Sequence, residues 1–406
     1  MIRSKSSLSN RLGPALALVW ATLALAGPVQ AQELGEGIQA HGFISQSLVG
    51  TSANNVGDSG DGGWGTELRE MGANLSWRPN PDWLFSGQAL ARWAGETDGG
   101  DLRLDYGFVD RTLLSDGASQ MGVRLGKIKN PYGFYNTTRD VAHTRPGIIM
   151  PQSIYLDLIR NFFLAAPGVS VYGNTEAGAG NLAWQLSALQ PEVDDPSLEY
   201  VFLLGNRPGH FQGTSSWLGQ ALYDVGGRWR LGLSLGEMNM KYKPGASPPF
   251  DEMAGTHKLP TWVVSLEHNS ELWSLTAEYG RTRVQAENYS LSNTDHWTEA
   301  WYAQATRRFP GNWQGFLRYD VLYLDKDDKS GAIFASDPGI AFLGFQPYSR
   351  FAKDWVLGVR KDIDHLALSA EIHHVDGTAW LALAENAPAA QHRRWNMLLL
   401  QAAWRF

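Results

Sequence analysis

The chain has 406 residues, a formal net charge of −7 and no cysteine. The lack of cysteine excludes disulfide bonds, a thiolate nucleophile and a cysteine-ligated zinc site, and the excess of acidic residues argues against nucleic acid as a partner. No stretch of about 18 apolar residues follows residue 31, so no transmembrane helix is predicted.

Residues 1–31 have the features of a cleaved signal peptide. Three basic residues precede the apolar run Leu12–Ala26, and Val29-Gln30-Ala31 forms a cleavage site. The run is shorter than the roughly 20 residues that an N-terminal membrane anchor would need. We therefore predict export through the Sec pathway and a single mature domain, residues 32–406, in which 31 basic residues stand against 41 acidic residues.

Apolar and polar residues alternate with a period of two from residue 38 to the C-terminus. The last segment places Leu398, Leu400, Ala402, Trp404 and Phe406 on one face. The same pattern occurs in residues 71–77, 102–108, 121–125, 182–188, 229–235, 273–279, 317–323 and 366–373. Charged residues on the polar face would be costly in a dry core but not in a water-filled lumen. The pattern predicts an all-β fold, a transmembrane antiparallel β-barrel with its apolar face outward.

Short and long connections alternate along the same region. The short ones, rich in Gly, Pro, Asn and Asp as hairpin turns are, are residues 78–82, 115–119, 177–180, 226–227, 269–271, 310–312 and 363–365. The long ones lie near residues 50–65, 95–100, 130–168, 191–214, 241–259, 285–296, 326–353 and 378–394. Eight loops and seven turns predict sixteen strands, a width that leaves an aqueous channel. A hidden hairpin at either Glu199–Gly205 or Ile333–Phe345 would raise the count to eighteen.

Tryptophan is unusually abundant, with 17 residues. Those at or near predicted strand ends are Trp77, Trp83, Trp229, Trp273, Trp313, Trp355 and Trp404. This placement is typical of the aromatic girdles at the two membrane interfaces. Aromatic residues lining the lumen would instead indicate a saccharide path, and we favour the girdle.

The chain resembles the sixteen-stranded porins of Gram-negative outer membranes. The resemblance depends on the alternation over residues 38–406, on the last strand ending in Trp404 and Phe406, and on the run Arg124–Tyr155. Its Arg124-Leu125-Gly126-Lys127, Pro131 and Gly133 are also weakly similar to the phosphate-selective group. The resemblance implies an outer-membrane location, a C-terminal signal at Trp404 and Phe406 for the barrel-assembly machinery, and a homotrimer. The short second loop, Gly95–Gly100, departs from the family and weakens the trimer expectation.

The third long loop, residues 130–168, is the longest, and the resemblance implies that it folds into the lumen and narrows the channel. Its aromatic residues suit packing against a wall, and we select Tyr132, Phe134, Tyr135 and Tyr155. The alternation of inward and outward positions along adjacent strands directs four arginines into the lumen: Arg92, Arg103, Arg111 and Arg124. Four further cations lie near the loop: Lys127, Lys129, Arg139 and Arg145. Such a positive zone favours anions. The alternative is that the arginines pair with Asp105, Glu278, Asp320 and Glu371 and hold the loop in place.

The sequence thus predicts a porin that allows passive diffusion of small hydrophilic solutes and favours anions, without enzymatic activity, cofactor or metal. Its expected surroundings are outer-membrane lipid and lipopolysaccharide. One alternative is a channel specific for saccharides or another solute. A second is a hydrolase at the barrel rim, for which the candidate residues are His373, His374 and Asp376, and His210 with Ser215 and Ser216. The natural solute cannot be inferred from these residues.

Overall fold

The computed structural model describes residues 32–205, 207–246, 248, 253–288 and 294–406. The predicted signal peptide, residues 1–31, lies outside the described residues. Within them, sixteen antiparallel strands form the barrel wall. They are β1 (Ile38–Thr51), β2 (Trp64–Asn80), β3 (Trp83–Ala94), β4 (Arg103–Ser115), β5 (Ser119–Lys129), β6 (Ala165–Ala177), β7 (Gly180–Leu189), β8 (Ser216–Val225), β9 (Trp229–Lys243), β10 (Gly255–Asn269), β11 (Trp273–Glu287), β12 (Glu299–Phe309), β13 (Trp313–Tyr323), β14 (Phe351–Ile363), β15 (Leu366–Gly377) and β16 (Arg394–Arg405).

The barrel closes where β16 pairs with β1, over the register from Met397↔Thr51 to Arg405↔Phe43. The backbone of Phe406 continues this pairing through two hydrogen bonds with Gly42, of 2.8 and 2.9 Å. Three short strands extend the wall: Gln32–Gly35 along β1, His210–Gly213 along β9 and Thr294–Trp297 along β11. The prediction of sixteen strands is confirmed.

The two segments that could have hidden further hairpins are helical instead. The helices are α1 (Arg160–Leu164), α2 (Pro196–Leu203), α3 (Ala332–Ser336) and α4 (Pro338–Phe342), with 3-10 turns at Ala142–Thr144, Asp157–Ile159, Pro347–Arg350 and Pro388–Ala390. Asp195 and Asp337 cap α2 and α4 through backbone N–H groups, and a proline opens each helix. Eighteen strands are therefore excluded by the described segments. None of the described helices is long and apolar enough to cross a membrane.

The strands are joined by seven short turns at one end, called the turn end, and by eight loops at the other, called the loop end. The loops are L1 (52–63), L2 (95–102), L3 (130–164), L4 (190–215), L5 (244–254), L6 (288–298), L7 (324–350) and L8 (378–393). The β8–β9 turn has φ of +60° at Gly226 and +68° at Gly227, a conformation that glycine adopts without strain. L3 ends four residues before the predicted boundary, because Ala165 already pairs with Lys129.

The outward face carries the apolar residues, as the alternation predicts. On β9, Leu231, Leu233 and Leu235 are 48%, 42% and 44% exposed, whereas the inward-facing Ser234 is 1% exposed. The tryptophans predicted for the girdle at Trp77, Trp229, Trp273, Trp313 and Trp355 are likewise exposed. An apolar band between aromatic rows is the surface that a lipid bilayer accepts.

The interior differs between the two ends. Toward the loop end, the inward residues of the strands and those of L3, L4 and L8 form one buried apolar cluster, which includes Met238, Met240, Leu259, Leu198 and Trp380. Toward the turn end, the inward residues are polar and line a hollow space, and they include Thr276, Gln304, Thr306, Arg308 and Gln314. The barrel is therefore packed in its loop half and hollow in its turn half.

Candidate permeation pathway

Three inward carboxylates of the wall hold the backbone of L3. The Phe134 N–H donates to Glu278 Oε1 over 2.9 Å, and the Gln152 N–H donates to Asp320 Oδ2 over 2.7 Å. The Ile148 N–H donates to Glu371. The sequence alternative expected Glu278, Asp320 and Glu371 to hold the loop as partners of arginines, whereas here they accept from its backbone.

The four selected aromatic residues of L3 pack together rather than facing an open lumen. Tyr132 lies 5.2 Å from Phe163 and Tyr135 lies 5.9 Å from Tyr155, measured between ring centroids. The Tyr155 hydroxyl donates to Glu278 Oε2 over 2.6 Å. Burial and the adjacent Glu278 carboxylate raise the pKa of Tyr155 well above its usual range, so the hydroxyl keeps its proton.

The ring of Phe134 lies under Arg230 of β9, with 4.1 Å between the guanidinium carbon and the ring centroid. The Phe134 side chain is therefore fixed by a cation–π contact as well as by packing.

Two of the predicted cations from L3 meet Arg92 of β3 across the lumen. Arg92 donates to Glu70 Oε1 over 3.1 Å, and Arg145 pairs with the same carboxylate. Arg139 donates to Asp157 Oδ1 over 2.7 Å. Burial alone would raise the pKa of Asp157, but the surrounding guanidiniums outweigh it and hold that pKa at about 2.

The other predicted cations have separate partners. Arg103 forms a bidentate pair with Asp98, at 2.9 and 2.8 Å. Arg124 donates to Asp110 over 2.8 Å. The remaining ion pairs are Lys127 with Glu192 at 2.6 Å and Lys129 with Asp140 at 2.5 Å. These pairs agree with the structural alternative, in which lumen cations are matched by acids.

The expected inward direction of Arg111 is wrong. The ladder between β3 and β4 slips by one residue, since Gln88 pairs with Tyr106 and Ala89 pairs with Leu104. This bulge at Asp105 reverses which face the following residues of β4 occupy, up to the second register shift after Thr112. Arg111 therefore lies opposite Trp83, with its guanidinium 5.2 Å from the indole centroid on the outward face.

Sequence reasoning missed several inward cations. Arg308 of β12 and Arg360 of β14 line the hollow turn half, and parity applied to those strands would have found them. Arg160 of L3 is 2% exposed, and neither terminal nitrogen of its guanidinium has a hydrogen-bond partner among the described residues. No sequence pattern distinguishes Arg160 from its neighbours, because its burial follows from how L3 folds back.

Three cavities follow one another from the loop end to the turn end. The outer recess lies among L2, L3, L4, L7 and L8. The middle recess includes Glu70, Arg92, Arg145 and Asp157 in its lining. The inner recess occupies the turn half.

Neighbouring recesses share lining residues. The outer and middle recesses share Thr97, Leu158, Leu381 and Ala382. The middle and inner recesses share Arg145 of L3 and Gln401 of β16. The three recesses are therefore neighbours along the barrel, and Arg145 and Gln401 lie where the middle and inner recesses adjoin.

The residues proposed for a rim hydrolase do not form a catalytic arrangement. His373 is fully buried, with Nδ1 2.7 Å from Asp354 Oδ2. His374 contacts Asn396 instead, and Asp376 accepts from Arg393 over 2.6 Å. The Ser216 hydroxyl donates to the Thr214 carbonyl over 2.9 Å rather than to a histidine. The described residues also contain no cluster of three metal-ligating side chains.

The chain is similar in fold to solved structures of outer-membrane proteins. No protein-family model matches the chain, and no curated protein sequence matches it. The anion-selective porin from Comamonas acidovorans is 13% identical with a TM-score of 0.57, and the match covers 91% of this chain and 99% of that one. The outer membrane channel DcaP of Acinetobacter baumannii is 12% identical with a TM-score of 0.56, covering 93% and 100%. The trimer form of OmpT from Vibrio cholerae is 11% identical with a TM-score of 0.51, covering 91% and 99%. At identities this low, the likeness shows the fold alone.

Proposed function

We propose that this chain, which has the fold of the Gram-negative outer-membrane porins, is an outer-membrane channel for passive diffusion of small hydrophilic solutes and favours anions. The observation that supports this best is the row of three recesses inside a closed barrel, which adjoin at shared lining residues. A channel of this kind needs no catalytic group, cofactor or metal.

L3 is the proposed constriction of the channel. It is anchored to β11, β13 and β15 by its backbone, and Arg145 extends from it to Glu70 of β2. Solutes would therefore pass beside L3 on the side of Gln401 rather than on the side of its anchors. A carboxylate that accepts from the loop backbone fixes the loop more rigidly than a flexible side-chain pair would.

Anion preference is proposed from the inner recess. Its lining has three guanidiniums, of Arg145, Arg308 and Arg360, and two carboxylates, of Glu267 and Glu371. Both carboxylates accept hydrogen bonds from protein groups, Glu267 from Arg230 and Glu371 from the L3 backbone. Arg145 pairs with Glu70 and Arg360 pairs with Asp362 at 2.7 Å, whereas Arg308 forms no ion pair with the described residues. A narrow polar space with an excess of guanidinium groups attracts anions, because Coulomb energies grow between low-dielectric walls.

Planar bilayers test both parts of the proposal. The wild type should conduct in discrete steps, and its reversal potential in a salt gradient should indicate anion preference. Replacing Arg308→Gln together with Arg360→Gln should shift the reversal potential toward cations. The matched control is Arg307→Gln with Lys361→Gln, which removes two charges from the outward positions next to them. A cation-selective wild type would refute the anion preference, and absence of conductance would refute the channel.

Assembly as a homotrimer is proposed through the outward face of β2–β4. Small residues occupy outward positions there, including Ala73, Gly87 and Ala89, so another barrel could approach closely. L2 does not add support for the trimer. Its Glu96 N–H donates to Glu385 of the same chain over 2.8 Å and so does not reach a neighbouring barrel. Native mass spectrometry should find trimers that Ala89→Trp dissociates and that Leu233→Trp, on the opposite wall, leaves intact. A monomeric wild type would refute the homotrimer.

The C-terminal strand is the proposed signal for the barrel-assembly machinery, in a membrane of outer-membrane lipid and lipopolysaccharide. Trp404 and Phe406 are in contact, with 4.8 Å between their ring centroids and 34° between the ring planes, at the seam with β1. Deleting Phe406 should reduce the amount of heat-modifiable folded barrel in outer-membrane fractions, whereas deleting the outward side chain of Leu400 by Leu400→Ala should not.

A further inference from the structure

The outer recess differs from the other two in the chemistry of its walls. Aliphatic and aromatic side chains of L3, L4, L7 and L8 dominate its lining, and they include Leu156, Tyr200, Val201, Phe334, Phe345 and Leu383. L2 adds Thr97 and the exposed, acidic Glu96. A recess with such walls is suited to the apolar body of a small molecule. A fully hydrophilic solute would gain nothing from these walls.

Two polar groups in this lining have no partner. Ser349 and Arg350 are consecutive residues of the 3-10 turn Pro347–Arg350, and both line the recess. The Ser349 hydroxyl and the Arg350 Nε are buried and have no hydrogen-bond partner among the described residues. Buried donors without partners are unfavourable, so an acceptor supplied by a ligand would relieve both.

The Arg350 guanidinium is held in place without being neutralised. It lies over the Phe334 ring, 4.3 Å from the centroid. No carboxylate of the described residues forms an ion pair with it. Burial lowers the pKa of Arg350 to about 10, against the opposing charges of Asp325 and Asp328, so the group is still cationic at neutral pH.

The two nearby acids already accept other hydrogen bonds. Asp328 accepts from the Phe334 N–H over 2.9 Å and from the Ser330 hydroxyl over 3.2 Å, at the start of α3. Asp325 accepts from the Asp327 N–H over 2.9 Å. Neither acid therefore occupies the donors of Arg350, and a guanidinium stacked on an aromatic ring keeps its edge free for an acceptor.

We propose that the outer recess binds a small amphipathic monocarboxylate, with the carboxylate on Arg350 and Ser349 and the alkyl or phenyl body against the apolar walls. This inference rests on the proposed channel, since the recess lies at its loop end, and it names the class of solute that is captured there. Octanoate and 4-phenylbutyrate represent the class. Acetate lacks the apolar body and octanol lacks the charge.

Two measurements on the purified barrel separate the site from the channel. Titration calorimetry in detergent should detect binding of octanoate and 4-phenylbutyrate, and at least about tenfold weaker binding of acetate and octanol. Arg350→Gln should weaken octanoate binding by about tenfold or more, because it removes a charge-assisted hydrogen bond. Arg393→Gln is the matched control, since Arg393 is exposed and already paired with Asp376.

Bilayer recordings give the second measurement. Octanoate added at the loop end should reduce the ion current of the wild type and not that of Arg350→Gln. Equal binding of octanoate, acetate and octanol by the wild type would overturn the site while leaving the channel in place. Octanoate binding by a barrel that never conducts would overturn the channel and leave the site. The comparison of ligands on the wild type decides the proposal even where a variant fails to fold.

Discussion

The same strands build two different interiors in the loop half and the turn half of the barrel. On β9, the inward residues Met238, Met240 and Tyr242 are at most 1% exposed in the loop half, while inward Arg230 and Ser234 belong to the turn half. The period of two is identical in both halves. It determines which face a residue occupies, whereas the identity of the inward residues and the loops above them determines whether the interior is apolar or wet.

Substitution of Glu278, which lies where the two halves meet, should have the largest effect on the difference between them. Its carboxylate accepts from the Phe134 N–H and from the hydroxyls of Tyr155, Tyr302 and Ser265. Glu278→Ala should lower the free energy of unfolding by several kcal/mol, at about 1–3 kcal/mol for each buried donor left unpaired. It should also release L3, so that single-channel currents become larger and noisier.

Urea unfolding in lipid vesicles and bilayer recordings measure the two effects of Glu278→Ala. Glu271→Gln, in the exposed β10–β11 turn, is the control and should change neither. If Glu278→Ala unfolds like the wild type, the wall carboxylates are not what holds L3.

The passage between the halves should widen in Arg145→Ala. Arg145 lines both the middle and the inner recess, and its loss also removes one positive charge from the passage. We expect single-channel conductance to rise and anion preference to fall. The partner Glu70 still has Arg92 at 3.1 Å, so folding should be preserved. Unchanged conductance would mean that solutes do not pass beside Arg145.

A pH dependence should arise from His143 of L3. Burial, with Arg360 and Arg405 nearby, lowers the pKa of His143 to about 4 against the opposing charge of Asp362. Because the folded pKa lies below the unfolded value of about 6.5, the unfolded chain takes up a proton first, and stability should fall as the pH drops from about 6.5 to about 4.

The pH effect is measured as the difference between urea midpoints at pH 7 and pH 4.5. His143→Asn should reduce this difference, whereas His41→Asn, exposed on β1 near the turn end, should leave it as in the wild type. An equal difference in all three proteins would contradict the assignment to His143.

The smallest expected effect is that of Arg111→Gln. Its guanidinium lies on the outward face over Trp83, so ion selectivity should stay as in the wild type. Arg124→Gln on the neighbouring strand should shift the reversal potential toward cations, because it leaves Asp110 without its ion-pair partner at 2.8 Å. An equal change of ion selectivity in Arg111→Gln and Arg124→Gln would mean that the bulge does not place Arg111 on the outward face.

The strands and turns follow from local chemistry, which is why the sequence predicts them. Alternation marks each strand, and a pair such as Gly226-Gly227 marks a turn that needs positive φ. The bulge at Asp105 has no local signal, and one extra residue there reverses the expected face of the residues that follow it up to Thr112, Arg111 included. Parity could have found Arg308 and Arg360, but only if every strand had been considered.

The site depends on contacts between distant residues, which alternation does not encode. Glu385 of L8 accepts from the backbone of Glu96 in L2, and Glu278 accepts from L3. The packed loop half was also not predicted, because Met238 and Met240 occupy the positions that a wet lumen would give to polar residues. The extent of the lumen is therefore a tertiary property of the loops.

The account is tested most directly by the accessibility of Gln401, which the middle and inner recesses share. The chain contains no cysteine, so Gln401→Cys introduces a single thiol. A small methanethiosulfonate anion applied to the bilayer should reduce the current through Gln401→Cys and leave the current through Leu400→Cys, on the outward face, unchanged. An unaltered current through Gln401→Cys, after mass spectrometry has shown that the thiol was modified, would contradict a pathway between Arg145 and Gln401.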